Sequence, residues 1–291
     1  MLRPVPRTPL FNFILHPVEE TAGWSPREPG GPEWLHWWGL TDSYYWMNAG
    51  GVELMRYSDR LIAANPQWDH RLPYFNYQVA RLHDDLLAIL PHVLERVPAD
   101  IFGRVATPEQ MRRFRALIDA WANEHWPRDV STPVLRRREE RASRLYVDGF
   151  EWLHISRQLS GGHLPGQPRI AFLSCGDRLS IVWLADESVQ ATTGIRWSDT
   201  PDGMHTMSCD EFIAEVRDFD ERLMNQMAER VKIVRTAWPR PDVCIDIPEL
   251  VSDHYERQHM LDAALDEAAR TETDWDAVRR AIETIERQAG A

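Results

Sequence analysis

Residues 32–51, "PEWLHWWGLTDSYYWMNAGG", decide how the rest of the chain is read. Trp34, Trp37, Trp38 and Trp46 fall inside them, with His36, Tyr44 and Tyr45 in between. Read as strand, Trp34, His36 and Trp38 face one way, and Leu35 and Trp37 the other. Beyond "TDS", Tyr44 and Trp46 share one side while Tyr45 and Met47 share the opposite side. Both faces are therefore apolar or aromatic, which a sheet wetted on one side does not show. Either helices cover both faces, or one face is a recess whose tyrosines and tryptophans present polar tips to a ligand. The candidate ligand-binding residues are then Trp34, His36, Trp38, Asp42, Tyr44, Trp46 and Arg56.

Outward from this stretch, "PLFNFILHP" reads as an early strand. Trp34–Leu40, Tyr44–Ala49 and Val52–Tyr57 read as a meander turning at "TDS" and "AGG". Phe75, Val79, Leu82, Leu86, Ile89 and Val93 have helical spacing, with His83, Asp84 and Asp85 expected on the solvent side. "TPEQ" at Thr107 opens the next helix with a capping box, and a further helix spans about 136–159. "RIAFLSCGDRLSIVWL" is a second hairpin, and a weaker strand is expected over 193–197. "SCDE" caps the helix with the cleanest stripe, Phe212, Val216, Phe219, Leu223, Met227, Val231 and Val234. Two helical segments, 248–270 and 274–288, follow a proline-rich connector.

The pattern predicts an α+β fold. An antiparallel meander and a second hairpin form a sheet packed by several amphipathic helices, with a C-terminal helical pair. Residues 1–240 read as the α+β domain and 248–291 as a helical extension packed on it.

A formal charge of −12 over 291 residues disfavours general attraction to nucleic-acid phosphates or anionic membranes. Lys232 is the only lysine, as in a chain written by a GC-rich genome, so this carries no functional reading. Cys175, Cys209 and Cys244 have no metal or redox spacing and suit a reducing cytoplasm. No run reaches membrane-span length, and the opening residues lack a signal-peptide pattern. The expectation is a cytoplasmic protein.

Catalytic and cofactor signatures are missing: no G-x-S-x-G elbow, no P-loop, and no G-x-G-x-x-G after a strand. No cofactor is expected. "EWLH" places Glu151 and His154 on one helical face, as di-iron sites require, but no second copy exists, so these are weak metal candidates. "RRREERASR" makes Arg136, Arg137 and Arg141, with Arg138 and Arg144, the anion-binding candidates. The same run is also an ordinary solvated helix face.

"LHWWGLTDSYYWMNAGGVELMRYS", the "RIAFLSCGDRLSIVW" hairpin and the "TDWDAVRRAI" tail together resemble an uncharacterised bacterial domain-of-unknown-function family. Its motif runs G-L-T-D-G-x-Y-x-I and is met by Gly39, Leu40, Thr41, Asp42 and Tyr45. Ser43 and Met47 depart from it. The similarity spans most of the chain and implies no mechanism.

The expected function is a non-catalytic interaction or small-ligand-binding protein, possible roles being immunity-like or regulatory, with a basic protein or a small molecule as partner. The alternative is an enzyme of unrecognised type that uses the aromatic recess, with His36, Asp42 or Arg56 as its polar groups. The sequence sets no oligomeric state.

Overall fold

The computed structural model describes residues 8–24, 31–68, 71–126, 133–160 and 164–290. In chain order the first elements are β1 (Phe11–Leu15), β2 (Glu33–Trp34), a 3-10 turn (Gly39–Thr41), β3 (Asp42–Ala49) and β4 (Val52–Leu54). Then come α1 (Asp59–Ala64), β5 (Phe75–Gln78), α2 (Val79–Leu94), α3 (Ala99–Phe102) and α4 (Pro108–His125). Helix α5 (Pro133–Tyr146) passes through a π-helical turn (Val147–Glu151) into α6 (Trp152–His154). The second half holds β6 (Arg169–Cys175), β7 (Arg178–Leu184), β8 (Gly203–Ser208), α7 (Cys209–Ala237) and β9 (Val243–Cys244). It ends with α8 (Ile247–Arg257), α9 (Met260–Ala268) and α10 (Trp275–Gln288).

The α+β reading holds, with the main strands divided between two antiparallel sheets. In the first, β3 is central, with β1 along one side and β4 and β5 end to end along the other. The β3–β4 turn carries Gly50 at φ 63° and Gly51 at φ 90°, and two consecutive positive φ values are what a tight hairpin turn needs. The second sheet is the meander β6-β7-β8. A short parallel pair, β2 and β9, joins the "PEW" stretch to the proline-rich connector.

Several local expectations are corrected. The strand expected over Trp34–Leu40 stops at Trp34: Trp38 is helical (φ −61°, ψ −46°) and "GLT" is a 3-10 turn. Leu35, Trp37 and Leu40 are all buried, and a turn drives them into one core where a strand would split them between faces. Hence "TDS" is a turn-to-strand junction rather than a hairpin. Phe75–Gln78 is a strand, not the first turn of α2, because its amides pair with β3. Over 193–197 only an isolated Val189–Arg196 bridge forms, and the third strand of the second sheet is β8.

Cap chemistry at the long helix α7 is as its sequence states. Ser208 Oγ accepts from the Glu211 amide at 3.1 Å, and Glu211 Oε2 accepts from the Ser208 amide at 2.9 Å. Thr107 caps α4 through the Gln110 amide at 3.3 Å. The reciprocal half of that box is absent, since buried Gln110 Oε1 has no partner among the described residues.

The second sheet is a wall between two cores. Ile170, Phe172, Leu179, Ile181 and Trp183 face the first core, with β1, β3, α2, α7, α8 and α9. Ala171, Leu173, Val182 and Leu184 face the second, with α4, α10 and Phe150. Every one of these nine side chains is buried. In the second core the π turn presses on α10: a Cβ on Gly149 would lie 2.9 Å from Ile285 Cδ1, so a larger residue there would require that side chain to shift. Among the described residues no helix is long and apolar enough to cross a membrane.

Candidate functional site

The seven aromatic-stretch candidates are spread over two places. Trp34, His36 and Trp38 are half-buried and alternate with buried Leu35 and Trp37, as the sequence implied, though the backbone is irregular there. Trp24 gathers two of them, with its ring 4.4 Å from His36 and 6.4 Å from Trp38, both edge-on. Trp38 Nε1 donates to Asp84 at 3.0 Å. Asp42, Tyr44 and Trp46 lie on the outer face of the first sheet. There Trp46 stacks on Tyr74 at 3.9 Å, and Tyr44 receives the Arg71 amide at 3.0 Å. Burial raises the Asp42 carboxyl pKa, which the charges of His16 and Arg230 partly offset. Arg56 pairs with Asp59 at 2.7 Å and Glu53 at 3.4 Å. His36, Asp42 and Arg56 thus do not meet, and none of the seven candidates lines the cleft between α2, α4 and β6.

That cleft, about 730 Å³, opens between α2, α4, the α6 end and the segment leading into β6. Arg115 from α4, His154 from α6 and Arg169 from β6 all line it. Phe150, turned inward by the π segment, brings the first two together: the Arg115 guanidinium lies 5.1 Å from its ring and His154 stacks at 5.3 Å. Arg115 is half-buried, its Nη1 donates to Gln158 Oε1 at 3.3 Å, and its buried Nε has no partner among the described residues. Burial, and then the charge of Arg169, lower the Arg115 pKa, while Asp119 and Tyr146 act the other way. Burial, and then the charge of Arg115, lower the His154 pKa.

The acids lining this cleft are already engaged. Asp85 accepts from Arg81 Nε at 2.9 Å. Burial alone would raise Asp186, but the Ser188 hydroxyl, at 2.6 Å, and the amides of Ser188 and Gly166 outweigh it and hold the carboxyl below its ordinary value. Two arginines line the cleft while the two carboxylates in its lining, Asp85 and Asp186, already accept hydrogen bonds, so the cleft suits an anion.

Neither of the other sequence candidates forms a site of this kind. Arg136, Arg137 and Arg141 are solvent-exposed on α5 and do not line the cleft. Glu151 and His154 gain no third ligand: among the described residues no group of three His, Cys, Asp or Glu side chains is placed to hold a metal. His154 instead lines the cleft beside Arg115. Sequence reading passed over Arg115 and Arg169 because neither belongs to a motif. One signal was present, since Arg115 sits on the flank of the Met111–Phe114–Ile118 stripe, where an arginine interrupts an apolar helix face.

Two further charged networks pair their charges internally, although the buried Arg157 Nε has no partner among the described residues. Arg157, 0% exposed, donates to Glu95 at 2.6 Å and to the Trp152 carbonyl at 2.7 Å. Glu95 also accepts from the Thr273 amide and hydroxyl and from Trp275 Nε1. His83, expected on the solvent side of α2, is 0% exposed, because α7 crosses it and supplies Asp220 at 2.8 Å. Its other nitrogen faces Asp84, which also receives Arg257 at 2.7 Å.

A family model, that of the family of unknown function DUF5984, matches residues 10–281, from just before β1 to within α10. No curated protein and no solved structure matches the chain.

Proposed function

The chain belongs to DUF5984, a family of unknown function, and from its geometry we propose that it is a non-catalytic binding protein for a small organic anion, held in the Arg115–His154–Arg169 cleft. One observation carries this reading: three basic side chains converge on one recess whose own carboxylates are already spoken for. A volume of about 730 Å³ falls in the range of small-molecule sites. The separate, unpaired cysteines fit work in a reducing cytoplasm.

The enzyme reading centred on His36, Asp42 and Arg56 has less support, because those residues lie apart. Calorimetric titration of the full chain with small carboxylates and phosphate esters tests the proposal. Saturable one-site binding is expected, weakening at high salt and lost on Arg115→Gln. Absence of binding, or binding abolished instead by neutralising Arg136, Arg137 and Arg141, would overturn it.

A further inference from the structure

We propose that the ligand of this cleft is an amphiphile, a single oxyanion headgroup on a short apolar body; this rests on the small-anion reading above. The lining is mixed in a way a bare ion does not need. Arg115 and Arg169 supply the cationic end, with the His154 ring beside them. Ile89 and Leu159, 5% and 2% exposed, supply an apolar floor, and Leu164, Pro165 and Pro168 continue it. Ile155 stands beside His154 and is 59% exposed, so a large aliphatic side chain lies open to water on a wall of the cleft. Inorganic phosphate seated on the arginines would leave that surface wet. A ligand with a hydrocarbon body would cover it, and apolar burial would add to the charge attraction.

The headgroup is limited in charge by the same walls. Asp85 and Asp186 stay in the lining with Arg81 and Ser188 as partners. A polyphosphate would bring extra negative charge toward them, whereas one carboxylate or one phosphate ester matches the converging donors. Arg115 is the main headgroup contact: it lines the cleft from α4, and its Nη1 is engaged by the neutral amide of Gln158 instead of a carboxylate.

The experiment is a calorimetric titration of the full chain at low salt with two probe series. One runs acetate, butyrate, hexanoate and octanoate; the other runs inorganic phosphate, butyl phosphate and phenyl phosphate. Affinity is expected to rise by about fourfold per buried methylene in at least one series, at one site per chain. The series that binds tighter identifies the headgroup as carboxylate or phosphate. Arg115→Gln is expected to weaken every member at least about tenfold. Ile155→Ser, at a 59% exposed position, is expected to flatten the chain-length dependence while sparing the shortest member. Equal affinity along both series would overturn the amphiphile and leave the small-anion reading standing. Octanoate uptake at several sites per chain, indifferent to Arg115→Gln, is surface partitioning and would also overturn it. If no member of either series binds, both readings fail.

Discussion

Arg157 and Arg115 both border the second core, and both lie over aromatic rings. The Arg157 guanidinium is 4.9 Å from the Trp275 ring, and that of Arg115 is 5.1 Å from Phe150. Around Arg157 the charge is matched: Glu95 takes it, and Thr273 and Trp275 from the start of α10 complete the carboxylate, although the buried Arg157 Nε has no partner among the described residues. Burial still pulls the Arg157 pKa down to about 10, with Glu95 opposing the fall. Around Arg115 the shell is open. The charge acting on it from the cleft wall is that of Arg169, and its Nη1 donates to the neutral amide of Gln158. The difference separates two uses of a half- or fully buried cation. One pins helices together, and the other leaves interaction energy available to something outside the chain.

The largest expected effect breaks the closed side. Glu95→Gln leaves Arg157 buried without a counter-charge, and loss of about 3–5 kcal/mol of stability is expected, read from the urea midpoint. A shift below about 1 kcal/mol would mean that the two arginine environments are energetically alike.

On the open side the sign differs. Arg115→Met keeps the stem's packing on Phe150 and removes a buried donor without a partner. Stability within about 1 kcal/mol of the parent is expected, together with loss of anion binding.

A third comparison uses pH. Burial alone would lower the pKa of His83, but hydrogen bonds to Asp220 and Asp84 outweigh it and raise the folded value. A raised folded pKa contributes stability that is fully present below the unfolded value of about 6.5 and lost as pH rises through the folded value. His154 and His254 are lowered, chiefly by burial, and act in the opposite sense: their contribution is present above about 6.5 and lost as pH falls through their folded values. Urea denaturation across pH is therefore expected to show His83→Gln losing stability at the acidic end relative to the parent. A difference constant across pH would contradict the assignment.

The smallest effect is local to the wall between the cores. Ser208→Ala removes the α7 cap and is expected to cost about 1 kcal/mol, with no change in anion affinity.

Elements with strong periodicity or explicit punctuation were legible in the sequence. The α7 stripe with its "SCDE" cap, the β6–β7 hairpin and the "AGG" turn were all readable. Illegible were features set by distant partners. Trp34–Leu40 alternates like a strand, yet the side chains at 35, 37 and 40 share one core because the chain turns there. His83 looked solvated until α7 crossed over it. The cleft was harder still: Arg115, His154 and Arg169 come from three elements, and no local pattern ties them together. The aromatic stretch that drew the first site prediction supplies chiefly core and sheet contacts, such as Trp37, Tyr45 and the Trp46–Tyr74 stack.

The central claim is that Arg115 belongs to a binding site and not to the framework. The most direct measurement is the urea midpoint of the parent and of Arg115→Met, each with and without a saturating anion. For the parent, ligand at about a hundred times its Kd is expected to add about 2.7 kcal/mol. The variant is expected to match the anion-free parent within about 1 kcal/mol and to gain nothing from the ligand. A variant that unfolds like Glu95→Gln, or one still stabilised by the anion as much as the parent, would contradict the claim.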